Sequence, residues 1–123
     1  MFINKIGMEH LETGMNCQDY GFVGERSSYV CDGCSEGKHS EVGAKLFCHL
    51  KQRTDYDATD IFSMMIDVVG GNPNWKRDFL SFAILRLAEC VDDFTVSYCG
   101  DGYIILQDHN DNITFEELSD GEY

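Results

Sequence analysis

The rhythm of apolar and polar positions changes along the chain, and each change predicts an element. Residues 1–8 alternate loosely and predict an opening strand, with loop over 9–17. Residues 19–24 (Asp-Tyr-Gly-Phe-Val-Gly) and 27–31 (Ser-Ser-Tyr-Val-Cys) are short runs of strand-forming residues. Joined by Glu25-Arg26, they predict a hairpin. After Gly37 the period lengthens. Val42, Leu46, His49 and Leu50 recur at helical spacing, with Ala44 and Phe47 filling in and Ser40 as N-cap. A second helix is expected from about Thr59, with Ile61, Phe62, Met65, Val68 and Val69 on its inner side. It should end at Gly70-Gly71, before a loop at Asn72-Pro73-Asn74.

The run 79–89 fits two patterns, since Phe79, Phe82, Leu85 and Ala88 suit a helix and a buried strand gives the same composition. The C-terminal third of the chain favours the strand. Residues 94–99, 103–107 and 113–118 are β-rich runs separated by Gly100-Asp101-Gly102 and by residues 108–112, a meander that a preceding strand would extend. Strands, two helices, then strands predict an α+β fold, with the two helices packed on one face of a mainly antiparallel sheet.

Composition narrows the function classes. At 123 residues, 43% hydrophobic and with a single proline, the chain suits one compact domain, and global disorder is excluded. A formal charge of −13 leaves no basic stripe for nucleic acid and disfavours an anionic membrane surface. Most of the acids serve solubility, and a few remain available as ligands for a cation. The N-terminal residues lack a long apolar run and no stretch approaches a membrane span, so a cytoplasmic location is expected. In that setting the six cysteines read as reduced thiols, several of them small buried apolar groups.

The segment VCDGCSEGKHSEVGAKL, residues 30–46, carries most of the chemistry. A predicted strand ends in Asp32-Gly33, the glycine permits a sharp turn, and a helix begins soon after. A carboxylate placed there projects from the rim of a sheet, which suits a hard cation such as Mg²⁺ or Mn²⁺. Asn16-Cys17-Gln18-Asp19 precedes the strand expected to pair with this one, which would bring Asp19 close to Asp32. Gly100-Asp101-Gly102 presents a further aspartate on what reads as a hairpin turn.

Taken together, these segments resemble the metal-dependent protein phosphatases, the PPM or type-2C family, and its bacterial branch in particular. In that branch a His, a Gly and a Cys-Gln-Asp precede the first core strand, as do His10, Gly14 and Cys17-Gln18-Asp19 here. The family's strand ending in Asp-Gly, followed by a Gly-containing loop and a helix with Gly-Ala, is similar to Asp32-Gly33 and Gly43-Ala44. Its later Gly-Asp-Ser turn is similar to Gly100-Asp101-Gly102, with Gly102 in place of the serine.

The resemblance implies half of a PPM-type β-sandwich and a pair of Mn²⁺ or Mg²⁺ ions bridged by Asp32. Asp19 would bind one metal directly or through water, the Gly33 carbonyl would add an oxygen, and Asp101 would match a weaker third site. Asp32 and Asp19 would be the catalytic pair. Phosphoserine or phosphothreonine on a protein would be hydrolysed by a metal-activated water.

The chain also departs from the family pattern. Family members run to roughly twice this length, beyond one small domain. The part without a counterpart supplies further aspartates, and Ser119-Asp120-Gly121 spells one late motif soon after Asp101. Cys34 stands where a leaving-group histidine often follows the Asp-Gly, with His39 nearby. Gly14 lies in the region where many members carry a phosphate-binding arginine. With these departures residues 1–123 resemble the N-terminal half of a single such domain, expected to be a truncated piece, a split protein completed by a partner or a degenerate relative, with little activity in isolation and a homodimer or a complementing C-terminal half as partner.

Three other readings compete. A non-catalytic interaction domain would keep the fold without the chemistry. A zinc module would use Cys31, Cys34, His39, Cys48 and His49, although Cys31 falls on an inward strand position and Cys48-His49 is an adjacent pair. A nucleophile enzyme would use Cys34, but no basic residue is clearly placed to assist it. An EF-hand at residues 108–119 is excluded, with Ile113 at the position needing glycine and Ser119 at the position needing glutamate.

Overall fold

The computed structural model describes residues 3, 5–6, 8–14 and 16–119. In chain order the elements are α1 (Met8–Thr13), β1 (Tyr20–Val23), β2 (Ser27–Gly33), α2 (Ser40–Arg53), α3 (Ala58–Val69), α4 (Trp75–Phe79), β3 (Phe82–Glu89), β4 (Phe94–Cys99), β5 (Gly102–Gln107) and β6 (Ile113–Leu118). The fold is α+β. Strands β1-β2-β3-β4 form one antiparallel sheet, and β5-β6 form a separate two-stranded one.

Alternation along β2 decides which face of the larger sheet is covered. Tyr29, Cys31 and Gly33 are buried, while Val30 and Asp32 between them are exposed. The register carries this across the sheet, since Cys31 pairs with Ile84 and Val30 pairs with Leu85, which in turn pairs with Tyr98. The covered face packs on α2 around Phe22, Tyr29, Cys31, Ala44, Phe47 and Cys48, with Ile61 and Met65 of α3 completing the core. Phe47 is central, its ring meeting Tyr29, Phe62 and Phe82 at centroid distances of 6.1, 5.3 and 5.9 Å. Most of the apolar area removed from water lies on this one side of the sheet.

Gly43 explains how α2 and α4 approach so closely. A Cβ there would stand 1.6 Å from the Phe79 carbonyl oxygen, so no larger residue fits without moving backbone. The start of α3 is fixed by Asp57, whose Oδ1 accepts from the Asp60 amide at 2.9 Å.

Several sequence expectations are corrected. The strand expected over 1–8 falls partly outside the described residues; Ile3, Lys5 and Ile6 lie in no strand, and Met8 opens a helix within the expected loop. That helix ends at Gly14, whose φ of +70° is the left-handed stop that glycine accepts readily. On α2 the packing face is Ser40, Gly43, Ala44, Phe47 and Cys48, so Val42 and His49 are exposed. His39, and not Ser40, occupies the N-cap position, with no side-chain cap bond. On α3 Val68 faces solvent. The short helix α4 follows the loop at 72–74, where none was expected. The meander is broken, because β4 pairs with β3 and β5 pairs with β6, so residues 100–101 cross between sheets instead of closing a hairpin.

Candidate functional site

Register brings the three aspartates to one end of the larger sheet. Tyr20 pairs with Cys31, so Asp19, one residue before β1, falls opposite Asp32 on β2. Asp32 pairs with Ala83 on β3, and Ile84 pairs with Cys99 on β4, so the chain leaving β4 through Gly100 delivers Asp101 to the same rim. Two strand spacings, about 10 Å in all, separate β2 from β4. Asp19 is thus the immediate neighbour and Asp101 the more distant one.

The electrostatics follow that order. The Asp32 carboxyl is pushed above the ordinary aspartate range, first by partial burial, then by its hydrogen bond to the Asp19 side chain and the Asp19 charge, and finally by the Asp101 charge. Asp32 and Asp101 also line one cavity of about 180 Å³ with Val30, Leu85, Tyr98 and Tyr103. A larger groove of about 620 Å³ lies at the opposite end of β2, between the Glu25-Arg26 turn and the end of α2, away from the aspartates.

A residue whose role the sequence did not suggest holds this arrangement. Gln18 is buried, and its Nε2 donates to the Cys34 carbonyl and to Ser40 Oγ, both at 3.2 Å. Ser40 Oγ in turn donates to the Cys34 carbonyl at 2.8 Å. The polar groups satisfy one another inside the fold and tie the segment before β1 to the turn after β2. Gly33 lies between them; a Cβ there would come within 2.8 Å of the Gln18 carbonyl oxygen. Asp19 is therefore held beside Asp32 by its own neighbour in sequence. The available signal was a glutamine, a residue seldom buried, flanking the first acidic position.

The remaining candidates are dispersed. Among the described residues no group of three or more His, Cys, Asp or Glu side chains is gathered closely enough to hold a metal ion. For the aspartates this means that Asp19 and Asp32 touch while Asp101 stands off. For the zinc reading the separation is decisive: Cys31 and Cys48 are sealed in the core, Cys34 is exposed, His39 packs on Phe79 and His49 on Tyr20. Cys31 is pushed strongly up by its hydrogen bond with Cys48 and by burial, so in the metal-free protein it stays a neutral thiol. Asp120 and Gly121 of the late Ser-Asp-Gly lie outside the described residues.

The Asp108 loop is a self-contained turn. Its carboxylate accepts from the Asn110 and Asn112 amides and from Asn112 Nδ2 at 2.8–2.9 Å, which holds it below the usual range. Among the described residues no helix is long and apolar enough to cross a membrane. Comparison with family models, with curated proteins and with solved structures finds no match to this chain.

Proposed function

We propose that this chain is a phosphoester-hydrolysing domain of the metal-dependent protein phosphatase type, acting on phosphoserine or phosphothreonine in proteins, with a site too sparse in carboxylates for strong activity on its own. The observation that carries the reading is the contact between the Asp19 and Asp32 carboxyls at a sheet rim, with the Asp101 charge acting on the same group. Like charges held together without a counterion are unfavourable, and a divalent cation is the partner that reverses the sign of that interaction. Mn²⁺ or Mg²⁺ fits the all-oxygen character of the set, with Asp19, Asp32 and the Gly33 carbonyl as donors and Asp101 acting at a distance.

A cation bound there would neutralise phosphate charge and acidify a water for in-line attack. The residues of the chain contribute the rest. Asp32 and Asp19 would hold the cation, Gln18 and Ser40 keep the two segments in register, and Asp101 adds negative potential across the cavity. Three carboxylates, one of them distant, leave most coordination positions to water, which predicts weak binding and slow turnover.

Phosphate release from a phosphothreonine peptide, measured with and without Mn²⁺, tests this. The expected result is a slow, Mn²⁺-dependent rate that Asp32→Ala abolishes. A rate indifferent to Mn²⁺ or to Asp32→Ala would remove the proposal.

A second reading, a non-catalytic interaction domain, is favoured by the outer face of the larger sheet. Val30, Phe94 and Tyr98 there are about half exposed, at 51%, 48% and 42%, on the face of the sheet turned away from α2. A further sheet, from a second copy or a complementing chain, is the partner suited to such a surface.

A further inference from the structure

We propose that Cys31 and Cys48 form a reversible dithiol–disulfide couple that small hydroperoxides oxidise, stapling β2 to α2 directly behind Asp32. The two sulfurs are 3.5 Å apart, and each residue is fully buried. A disulfide needs about 2.05 Å between sulfurs, so closure asks for a relative shift of roughly 1.5 Å. That is small for a strand and a helix joined through side chains. Beyond packing in the core, neither thiol lines the carboxylate cavity, and the only hydrogen bond either side chain makes among the described residues is the one they share.

Their position gives the bond a consequence. Cys31 immediately precedes Asp32, and the ring closed by a Cys31–Cys48 bond contains Gly33, Cys34 and Ser40, the turn that the Gln18 network holds. Oxidation would fix this turn to the helix bearing Ser40, restraining the segment that carries the acidic rim. Burial also selects the oxidant. Hydrogen peroxide is small enough to reach the pair during local opening, whereas a glutathione disulfide is not.

The chemistry balances with hydrogen peroxide as the co-reactant. One sulfur attacks a peroxide oxygen, the O–O bond breaks, and an S–O bond forms; the thiol proton leaves with the departing hydroxide as water. The second sulfur then attacks the first, forming S–S and breaking S–O, and its proton leaves with that hydroxide as a second water. The pair loses two electrons and two protons, and the peroxide is reduced to two waters.

The test uses the full chain in two forms. In one, Cys17, Cys34, Cys90 and Cys99 are replaced by serine; in the other, the wild-type protein has its accessible thiols alkylated under native conditions. Each is treated with hydrogen peroxide or with oxidised glutathione. Peroxide should remove about 2 Da from the folded protein, yield a Cys31–Cys48 cross-linked peptide, and raise the melting temperature by about 5 °C or more. Dithiothreitol in denaturant should reverse all three changes, and oxidised glutathione should leave the pair intact. Two outcomes overturn the proposal: thiols that survive peroxide until the protein unfolds, or a gain of about 32 Da from sulfinic acid without a cross-link. The substituted and alkylated forms check one another, so misfolding of either leaves the other decisive.

Discussion

Asp32 sits in an unfavourable field within an otherwise ordinary strand end, and the sign of its effect on stability can be worked out. Its pKa is raised in the folded protein above the unfolded value, by burial first and by Asp19 and Asp101 after that. Its favourable contribution is therefore fully present only below the unfolded pKa of about 4, and it is lost as pH rises through the higher folded value. Asp32→Asn should raise the melting temperature of the metal-free protein at pH 7, and the gain should vanish toward pH 4. Thermal melts across that range check this, and a neutral or destabilising effect at pH 7 would contradict the arrangement described. Mn²⁺ should reverse the ranking by stabilising the wild type alone. Gln18 acts at the same scale: Gln18→Leu leaves the Cys34 carbonyl with one donor fewer and should destabilise by about 1–3 kcal/mol in urea unfolding. Much of this was legible in the sequence, because Asp-Gly at a strand end and Cys-Gln-Asp before its neighbour name the residues. The distance of Asp101 was not legible, since it depends on the chain changing sheets at residues 100–101.

At the scale of elements, α2 organises the core through one narrow face. Gly43→Ala places a Cβ against the Phe79 carbonyl and should cost about 1–3 kcal/mol or more, because backbone must move to admit it. Phe47→Ala removes the ring at the centre of the aromatic cluster and should cost about 3–5 kcal/mol. Denaturant unfolding measures both, and near-neutral values would place the core elsewhere. Helical spacing located α2 and part of its face. Of the expected stripe, Ala44 and Phe47 are buried and Leu46 and Leu50 pack against the core, while Val42 and His49 are exposed; Gly43 takes an inward position because a residue without a side chain permits the close approach of α4. Apolar periodicity counts large side chains and is blind to a contact made by their absence. Strand β3 was legible only from its context, because its apolar run fits helix and strand alike and the β-rich runs after it decided for strand; in the fold it sits between two neighbours and is partly buried on both faces.

For the whole molecule, two opposing features meet on one surface. The outer sheet face is apolar, which favours a partner, while a charge of −13 keeps copies apart. Salt screens the second and leaves the first. Light scattering should show a mass that grows with ionic strength, and Tyr98→Lys should suppress the growth; a mass unaffected by salt would show that this face does not self-associate. The charge was legible from composition, whereas the half-exposed outer face was not, because alternation predicts a half-buried sheet without saying what covers its other side.

The convergence of Asp19 and Asp32 on a cation is tested most directly by calorimetric titration of the metal-free protein with Mn²⁺, repeated with Asp19→Asn and Asp32→Asn. The account predicts binding to the wild type with a dissociation constant on the order of 10⁻⁴ to 10⁻³ M, proton release that grows as pH falls toward the raised Asp32 value, and loss of binding in either variant. Binding of equal strength in all three proteins, or none in the wild type at millimolar Mn²⁺, would contradict it.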